Sequence, residues 1–344
     1  MPEISEYAPG TPSWVDLASP DPDASTRFYA GLFGWTATEP GPVEETGGYR
    51  MLQRGGKDVA GLGPTQGPGQ PAMWTTYVST DDADAATEKV REAGGRVVME
   101  PLDVLGTGRM AVFADEGGAV FSVWQAVTHV GAAVVNEAGS FCWNELATRD
   151  IEAAKRFYAA VFGWEGDTNA HGDVSYTEWK LGGRTIAGMV AMNDQWPAEV
   201  PAHWMVYFAV EDIDAATAKV KELGGLVSVE PTDTPAGRFA VVNDPQGAVF
   251  SIISLAPGRG EEEAEPAAEG EPAADAEPAA EGEPAAEGES GSDSGSESEP
   301  GDAEPEKSSD AADDEPKTAV AEGADDGDSA EAGDGAKPED EKES

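Results

Sequence analysis

A long segment of the chain occurs twice, and this repeat restricts the fold more than any other feature of the sequence. Residues 14–35 return as residues 143–164, and both copies end in the pattern Arg-Phe-Tyr-x-x-x-Phe-Gly-Trp. Residues 74–126 return, with few changes, as residues 204–255. Matches in the same order over such a distance indicate a duplicated domain, because a fixed-period self-match is the mark of a repeated structural unit.

Short strands and single helices alternate within each copy. Trp14–Leu17 alternates apolar and polar residues, as a half-buried strand does. Asp21, Asp23 or Ser25 can cap the helix that follows, and the helix is predicted to end near Gly34, since glycine tolerates the left-handed cap. Further short strands separated by glycine turns complete the unit, and the second half of each copy repeats the same order. The pattern is βαβββ twice per copy, which belongs to the α+β class.

Charge and apolar side chains are distributed unequally along the 344 residues. Of the net charge of −46, residues 257–344 contribute 32 acidic and 5 basic side chains, without a single aromatic residue. Such a segment cannot bury enough apolar surface to offset its ordering entropy. We therefore predict a first domain at 11–126, a linker at 127–138, a second domain at 139–256 and an acidic disordered tail at 257–344. Because the linker is short, the two domains should pack together as a pseudo-dimer.

The charge also bears on partners and location. Phosphate binding needs clustered Lys and Arg, so neither a nucleic acid nor an anionic membrane is expected as a partner. No stretch approaches the apolar length of a membrane span, and the first residues lack the pattern of a signal peptide. Cys142 is the single cysteine, which excludes an intramolecular disulfide. We expect a cytoplasmic protein.

The order of elements and the motifs resemble the vicinal-oxygen-chelate superfamily, which includes glyoxalases, bleomycin resistance proteins and dioxygenases. The resemblance rests on the Arg-Phe-Tyr-x-x-x-Phe-Gly-Trp signature, on the Asp-Ala-Ala-Thr helix that ends in Gly-Gly, and on the turn at Asp244-Pro-Gln-Gly. The resemblance covers nearly all of residues 11–256. Within the superfamily, the chain is most like the tandem two-domain actinobacterial members. It implies curved mixed sheets with the helices outside, each sheet surrounding a ligand cavity. In the enzymes of the superfamily, His and Glu side chains in that cavity hold a divalent metal.

The metal-ligand positions that the resemblance implies hold unsuitable residues in both copies. Aligned on the Phe-Tyr pair, they fall on Trp14, Thr75 and Ser122 in the first copy. In the second copy they fall on Trp143, Met205 and Ser251. Tryptophan offers no lone pair to a metal, and neither methionine nor isolated hydroxyls suit a hard divalent ion. The fourth position cannot be placed. We predict no cofactor.

A shifted metal site in the second copy is the alternative. By strand alternation Glu145 shares a face with Trp143, His203 shares a face with Met205, and Glu178 lies on a neighbouring strand. Together they could hold a divalent metal. The matching places in the first copy are Asp16, Met51 and Met73, which should leave that copy without a metal.

An aromatic cavity is the expected outcome of these replacements, since ligand pockets are mostly apolar with a few orienting polar groups. Stacking on flat rings would suit an aromatic ligand. The candidate binding residues are Trp14, Tyr49, Trp74 and Tyr77 in the first copy and Trp143, Tyr176, Trp179, His203, Trp204 and Tyr207 in the second. His129, in the linker, is expected to be solvated.

Two functions are compatible with this cavity. The first is metal-independent binding of a small aromatic or polyketide-like molecule, for sequestration, tolerance or an accessory role in metabolism. The alternative is an enzyme (a hydroxylase, lyase or isomerase) that uses Asp16 or Glu145 as a general base or the shifted metal site. A carboxylate buried among aromatic rings acquires a raised pKa, which suits proton transfer near neutral pH. The sequence leaves open whether one cavity or both are functional.

Overall fold

The computed structural model describes residues 4–67, 69–171 and 174–257. Apart from Pro257, the predicted disordered tail lies outside the described residues. The first copy consists of β1 (Pro12–Ser19), α1 (Pro22–Phe33), β2 (Thr36–Ala37), α2 (Val43–Thr46), β3 (Arg50–Arg54), β4 (Lys57–Pro64), β5 (Met73–Ser79), α3 (Ala83–Glu92), β6 (Arg96–Val104), β7 (Gly108–Ala114) and β8 (Val120–Ala126).

The second copy repeats this order, and its described residues contain no counterpart of the short α2. It consists of β9 (Phe141–Thr148), α4 (Ile151–Phe162), β10 (Glu165–His171), β11 (Val174–Leu181), β12 (Arg184–Ala191), β13 (His203–Ala209), α5 (Ile213–Glu222), β14 (Leu226–Thr234), β15 (Gly237–Asn243) and β16 (Val249–Leu255).

Each copy forms its own eight-stranded mixed sheet. The strand order is β2-β3-β4-β1-β5-β8-β7-β6 in the first copy and β10-β11-β12-β9-β13-β16-β15-β14 in the second. The central strands pair in the same way in both: β1 runs parallel to β4 and antiparallel to β5, and β5 runs parallel to β8. The predicted tandem α+β fold is confirmed.

Local signals set the helix ends. The Asp21 carboxylate accepts a hydrogen bond from the Ala24 backbone N–H at 2.9 Å, so Asp21 is the N-cap of α1 among the three candidates. Gly34 ends the helix with φ +72, a left-handed conformation that glycine adopts without strain. Asp150 and Gly163 perform the same two roles for α4. The matching caps explain why the two copies keep the same helix lengths.

Two hydrophobic cores hold the copies together, and each core is built mainly from one half of each copy. One contains Leu17, Phe28 and Tyr29 of the first copy together with Phe208 and Phe250 of the second. The other combines the second half of the first copy with the first half of the second, through contacts such as Phe121 with Phe157 and Phe121 with Tyr158. The copies are therefore packed as a pseudo-dimer across their helix-bearing faces.

A buried polar contact joins the copies within each core. In one, the Trp204 indole donates to the Tyr158 hydroxyl at 2.8 Å, and Tyr158 donates to Asp115 of the other copy at 3.0 Å. Trp74, Tyr29 and Asp244 form the counterpart, at 2.9 and 3.3 Å. Because buried polar groups are costly when unpaired, these chains of hydrogen bonds fix the relative position of the copies.

The longest helices of the described ranges, α1 and α4, have 12 residues each. No helix in this part of the chain has the length and apolar character that crossing a membrane requires.

Candidate functional site

One face of each sheet packs against helices, and the other carries the candidate site. In β1, Leu17 pairs with Trp74, whose indole N–H donates to Tyr29 of α1. Leu17 and Val15 therefore point to the helices, and Trp14 and Asp16 lie on the opposite side by strand alternation. We call this side the helix-free face. In the central strands of the first sheet, Asp16 is paired with Gly61 of β4 and with Thr75 of β5.

Four side chains form a connected cluster on the helix-free face of the first copy: Trp14, Asp16, Tyr49 and Tyr77. The Tyr77 hydroxyl donates to Asp16 Oδ2 at 2.8 Å, and the Tyr49 hydroxyl donates to the same oxygen at 3.4 Å. The Trp14 indole N–H donates to the Tyr49 hydroxyl at 3.2 Å. We call these residues the first-copy cluster. A single half-buried carboxylate is surrounded by three aromatic side chains that all carry donors.

The second copy builds the same arrangement from Trp143, Glu145, Tyr176 and Tyr207, which we call the second-copy cluster. The Tyr207 hydroxyl donates to Glu145 Oε1 at 2.8 Å, and the Trp143 indole N–H donates to the Tyr176 hydroxyl at 3.0 Å. Glu145 is one methylene longer than Asp16, so its carboxylate extends farther from the sheet.

Burial sets the proton affinity of both carboxylates. It raises the pKa of Asp16 to about 6, although the hydrogen bonds from Tyr77 and Tyr49 act in the opposite direction. Burial likewise raises the pKa of Glu145. The pKa values of Tyr49 and Tyr77 are raised by burial and by the negative charge of Asp16, so both hydroxyls stay protonated and act as donors. Each cluster is thus a neutral donor set around one acid whose charge is disfavoured by its surroundings.

Two glycines make room for the tyrosines, and sequence reasoning did not identify their role. A Cβ on Gly61 would overlap the Tyr49 hydroxyl, and a Cβ on Gly188 would overlap the Tyr176 hydroxyl and lie 2.8 Å from Trp143 Nε1. Each tyrosine side chain therefore crosses the neighbouring strand, β4 or β12, at a point where glycine leaves room for its hydroxyl. The signal in the sequence was a glycine inside a strand, which often marks a close approach.

The pairing of the strands also places the fourth metal-ligand position that the family implies. Asp16 pairs with Gly61 in the parallel β1–β4 pair, as Tyr77 pairs with Ser122 in the equivalent β5–β8 pair. The position equivalent to Ser122 in the first half is therefore Gly61. In the second copy, where Glu145 pairs with Gly188, it is Gly188. Glycine offers no side-chain ligand, so the residues at the four positions of each copy do not fit a divalent metal.

The three residues of the alternative metal site lie on the helix-free face of the second sheet, but apart from one another. Glu178 and Glu145 are separated by β12, with Gly188 between them. His203 is paired with Ala147, and its Nδ1 lies 2.9 Å from the Pro201 carbonyl oxygen. Within the described ranges, no three His, Cys, Asp or Glu side chains are grouped so as to hold a metal ion.

Three of the expected cavity residues lie on the other side of the sheets, which corrects the predicted lining. Trp74 and Trp204 are the indoles that donate to Tyr29 and Tyr158 in the cores between the copies. Trp179 is fully buried against Tyr158 and Trp164. The physical reason is strand alternation: Trp74 and Tyr77 are three residues apart, as are Tyr176 and Trp179, and such residues point to opposite faces of a regular strand.

His129 is not solvated as expected but covers the first-copy cluster. Its ring meets the Trp14 ring edge-on, with the ring centroids 4.5 Å apart. It also meets the Trp124 ring edge-on, with the centroids 5.7 Å apart. Burial lowers the pKa of its imidazole. The Trp124 indole N–H donates to the His129 carbonyl oxygen at 2.7 Å. Trp124 and the linker therefore belong to the surroundings of the site, and nothing in the local sequence pattern indicated this contact.

Comparison with known proteins agrees with this architecture. The model of the Glyoxalase/Bleomycin resistance protein/Dioxygenase superfamily matches residues 11–123 and again residues 134–252. The chain belongs to this superfamily, with two copies of its domain.

Two curated relatives match over nearly their full lengths. The anthracycline biosynthesis protein DnrV of Streptomyces peucetius is 46% identical over 273 residues, which span 74% of this chain and 97% of the relative. The putative glyoxylase CFP32 of Mycobacterium bovis is 43% identical over 263 residues, which span 75% of this chain and 99% of the relative.

Solved structures share the fold at low sequence identity. The Mn(II)-bound glyoxalase from Novosphingobium aromaticivorans superposes with a TM-score of 0.51 at 19% identity, over 72% of this chain and 82% of the other. The 2,3-dioxygenase LapB from a Pseudomonas species gives a TM-score of 0.51 at 13% identity, over 74% and 93%. At these identities the likeness concerns the fold alone.

Proposed function

We propose that the protein binds a small, planar, hydroxylated aromatic molecule of the polyketide kind on the helix-free face, without a metal. The observation that carries this proposal is the half-buried carboxylate set among aromatic donors in each cluster. An ionised carboxylate has about four lone-pair sites, and the neighbouring tyrosines occupy only some of them. The acid can therefore accept a further hydrogen bond from a ligand hydroxyl, while the indole and phenol rings offer stacking surfaces.

The negative charge of the protein excludes anionic molecules from the class of expected ligands. The chain carries a net charge of −46, and the carboxylate of each cluster would repel an anionic group brought beside it. Phosphate esters and carboxylic acids are therefore unsuitable, and a neutral phenol or hydroxyquinone fits. The relative DnrV is named as an anthracycline biosynthesis protein. That name supports an accessory or sequestering role toward such a molecule.

A calorimetric titration tests the proposal. The probe is 1,8-dihydroxyanthraquinone, a neutral planar hydroxyquinone, and the protein is the full chain, with and without prior dialysis against a chelator. We expect saturable binding that is the same in both preparations. A control titration with anthraquinone, which lacks the hydroxyls, should give weaker binding. Binding that disappears with the chelator would contradict the metal-independent site, and no binding of either probe would contradict the proposal as a whole.

Acid–base catalysis at the same site is the second candidate, and the pKa of Asp16 favours it. A group whose pKa is raised to about 6 is poised to accept a proton near neutral pH and to return it. Asp16 or Glu145 would then be the base of a lyase, an isomerase or a hydroxylase. Asp16→Asn and Glu145→Gln distinguish the two candidates. In an enzyme, one of them abolishes turnover. In a sequestering protein both variants still bind the probe, somewhat more weakly, because the amide oxygen of Asn or Gln can still accept the ligand hydroxyl.

We place this role in the cytoplasm. The chain has a single cysteine, Cys142, so it forms no intramolecular disulfide, and this composition suits a reducing compartment.

A further inference from the structure

The two clusters differ in how they are covered. Trp14 of the first-copy cluster is 3% exposed, whereas Trp143 at the same place in the second copy is only half-buried. In the described ranges no aromatic ring lies against Trp143, whereas His129 meets the edge of Trp14. The second-copy cluster is therefore the more accessible one.

The cover of the first cluster is the linker, and several hydrogen bonds hold it in place. The Ala132 backbone N–H donates to the Ser13 carbonyl oxygen at 2.9 Å, next to Trp14 in β1. The Tyr7 hydroxyl donates to the Ala132 carbonyl oxygen at 2.7 Å, so the N-terminal segment supports the linker from the other side. At Gly131, with φ +122, a Cβ would collide with the Ser13 carbonyl oxygen, which shows how closely the linker approaches the strand.

A single replacement between the copies accounts for much of this difference. Trp124 of β8 anchors the linker through its indole N–H, which donates to the His129 carbonyl oxygen at 2.7 Å. The equivalent residue of β16 is Ile253, which has no donor. Ile253 instead joins Cys142, Met205 and Tyr207 in a buried apolar cluster beside Glu145. The second copy thus combines a half-buried carboxylate with a Trp143 ring that is supported by apolar side chains and is less covered than Trp14.

We propose that the second-copy cluster is the binding site for the planar hydroxylated aromatic molecule, and that the linker closes the first-copy cluster by placing His129 over Trp14. This inference rests on the proposed function. The ligand stacks on the half-buried ring of Trp143, which the buried apolar cluster supports, and donates a hydroxyl hydrogen bond to Glu145. One molecule binds per chain.

Two matched glycine variants test which copy binds. Gly188→Ala places a methyl group on the Tyr176 hydroxyl, and Gly61→Ala does the same to the Tyr49 hydroxyl in the first copy. Neither glycine has a positive φ, so alanine suits both backbones. With 1,8-dihydroxyanthraquinone and the full chain, Gly188→Ala should weaken binding by about 10-fold or more, since overpacking displaces the groups that form the site. Gly61→Ala should leave both affinity and stoichiometry unchanged.

A second pair of experiments keeps the inference testable if a glycine variant does not fold. The titration of the unaltered chain should give one molecule per chain. The double variant with Trp124→Ile and His129→Ala should raise this to two, because it removes both the anchor of the linker and the ring that covers Trp14.

The outcomes separate the inference from the proposed function. Two molecules bound by the unaltered chain, or loss of binding in Gly61→Ala with retention in Gly188→Ala, would overturn the inference while the proposed function stands. A double variant that still binds one molecule would overturn the closing role of the linker. An absence of binding by the unaltered chain would overturn the proposed function itself.

Discussion

Replacing Asp16 by asparagine should make the protein progressively more stable, relative to the unaltered chain, as the pH rises from 5 to 8. Asparagine keeps the oxygen that accepts from Tyr77 but removes the charge. Burial raises the pKa of Asp16 from 3.8 to about 6, so between these values the folded state binds more protons than the unfolded state. Stability from this group is therefore fully present below pH 3.8 and is lost as the pH rises through 6.

The magnitude follows from the two pKa values. A difference from 3.8 to about 6 corresponds to about 3 kcal/mol at full effect. Because the unfolded group has already ionised by pH 5, roughly half of this effect develops between pH 5 and pH 8. The half-buried position of Asp16 reduces it further, by solvent screening. We expect the free energy of unfolding of Asp16→Asn, relative to the unaltered protein, to increase by ~1 kcal/mol from pH 5 to pH 8.

Urea denaturation followed by tryptophan fluorescence at pH 5, 6, 7 and 8 measures this difference. Comparing the variant with the unaltered chain at each pH cancels the titration of the many other acids. Asp81→Asn, at an exposed position before α3, is the control for loss of one negative charge. If the difference in unfolding free energy between Asp16→Asn and the unaltered chain is flat from pH 5 to pH 8, the argument from burial of Asp16 is refuted.

Three further predictions concern the fold. Tyr158→Phe should lower the free energy of unfolding by about 1–3 kcal/mol, because it removes the hydrogen bond to Asp115 Oδ2 and the acceptor of the buried Trp204 indole N–H; thermal unfolding measures it, and an unchanged Tm would contradict the role assigned to this contact. Gly34→Ala should cost ~1 kcal/mol, since φ is +72 there and a Cβ meets no neighbour, so the cost is backbone strain alone; denaturant titration checks it. Residues 1–126 expressed alone should fail to show cooperative unfolding, because half of each core is missing; a sharp thermal transition of a monomer would disprove this.

The order of elements could be predicted because local signals determine it. Asp21 and Gly34 carry the chemistry of helix ends, and the alternating residues of β1 carry the period of a strand. Because the segment is repeated, the same signals occur in both copies and support the same order of elements. The carboxylates of the two clusters could be proposed for the same reason, since Asp16 lies two residues after Trp14 on one strand.

The prediction was wrong for the faces of Trp74 and Trp179, as it was for Trp204. Strand alternation alone separates Trp74 from Tyr77 and Trp179 from Tyr176. Residue type was the misleading signal: a tryptophan in a strand suits both a ligand cavity and a core. All three tryptophans lie in cores that join the copies, where the indole N–H of Trp74 bonds to Tyr29.

The contacts between distant parts of the chain could not be predicted from the sequence. His129 lies over Trp14 because the linker turns back along β1, and no local pattern specifies such a path. The packing of α1 against α5 and of α3 against α4 across the two copies is a similar case. Tyr29 reaches Asp244 across the pseudo-dimer, and a single sequence contains no signal for a pairing over that separation.

The shared cores also bear on how such a protein can evolve. In a homodimer of single domains, every substitution appears at two equivalent places, so the two sites must change together. Fusion of the copies by gene duplication removes that constraint, while the cores built from both halves prevent the copies from separating. One half can then specialise as scaffold and the other as receptor. The pairs Asp16 with Glu145 and Trp124 with Ile253 are the divergence that this freedom permits.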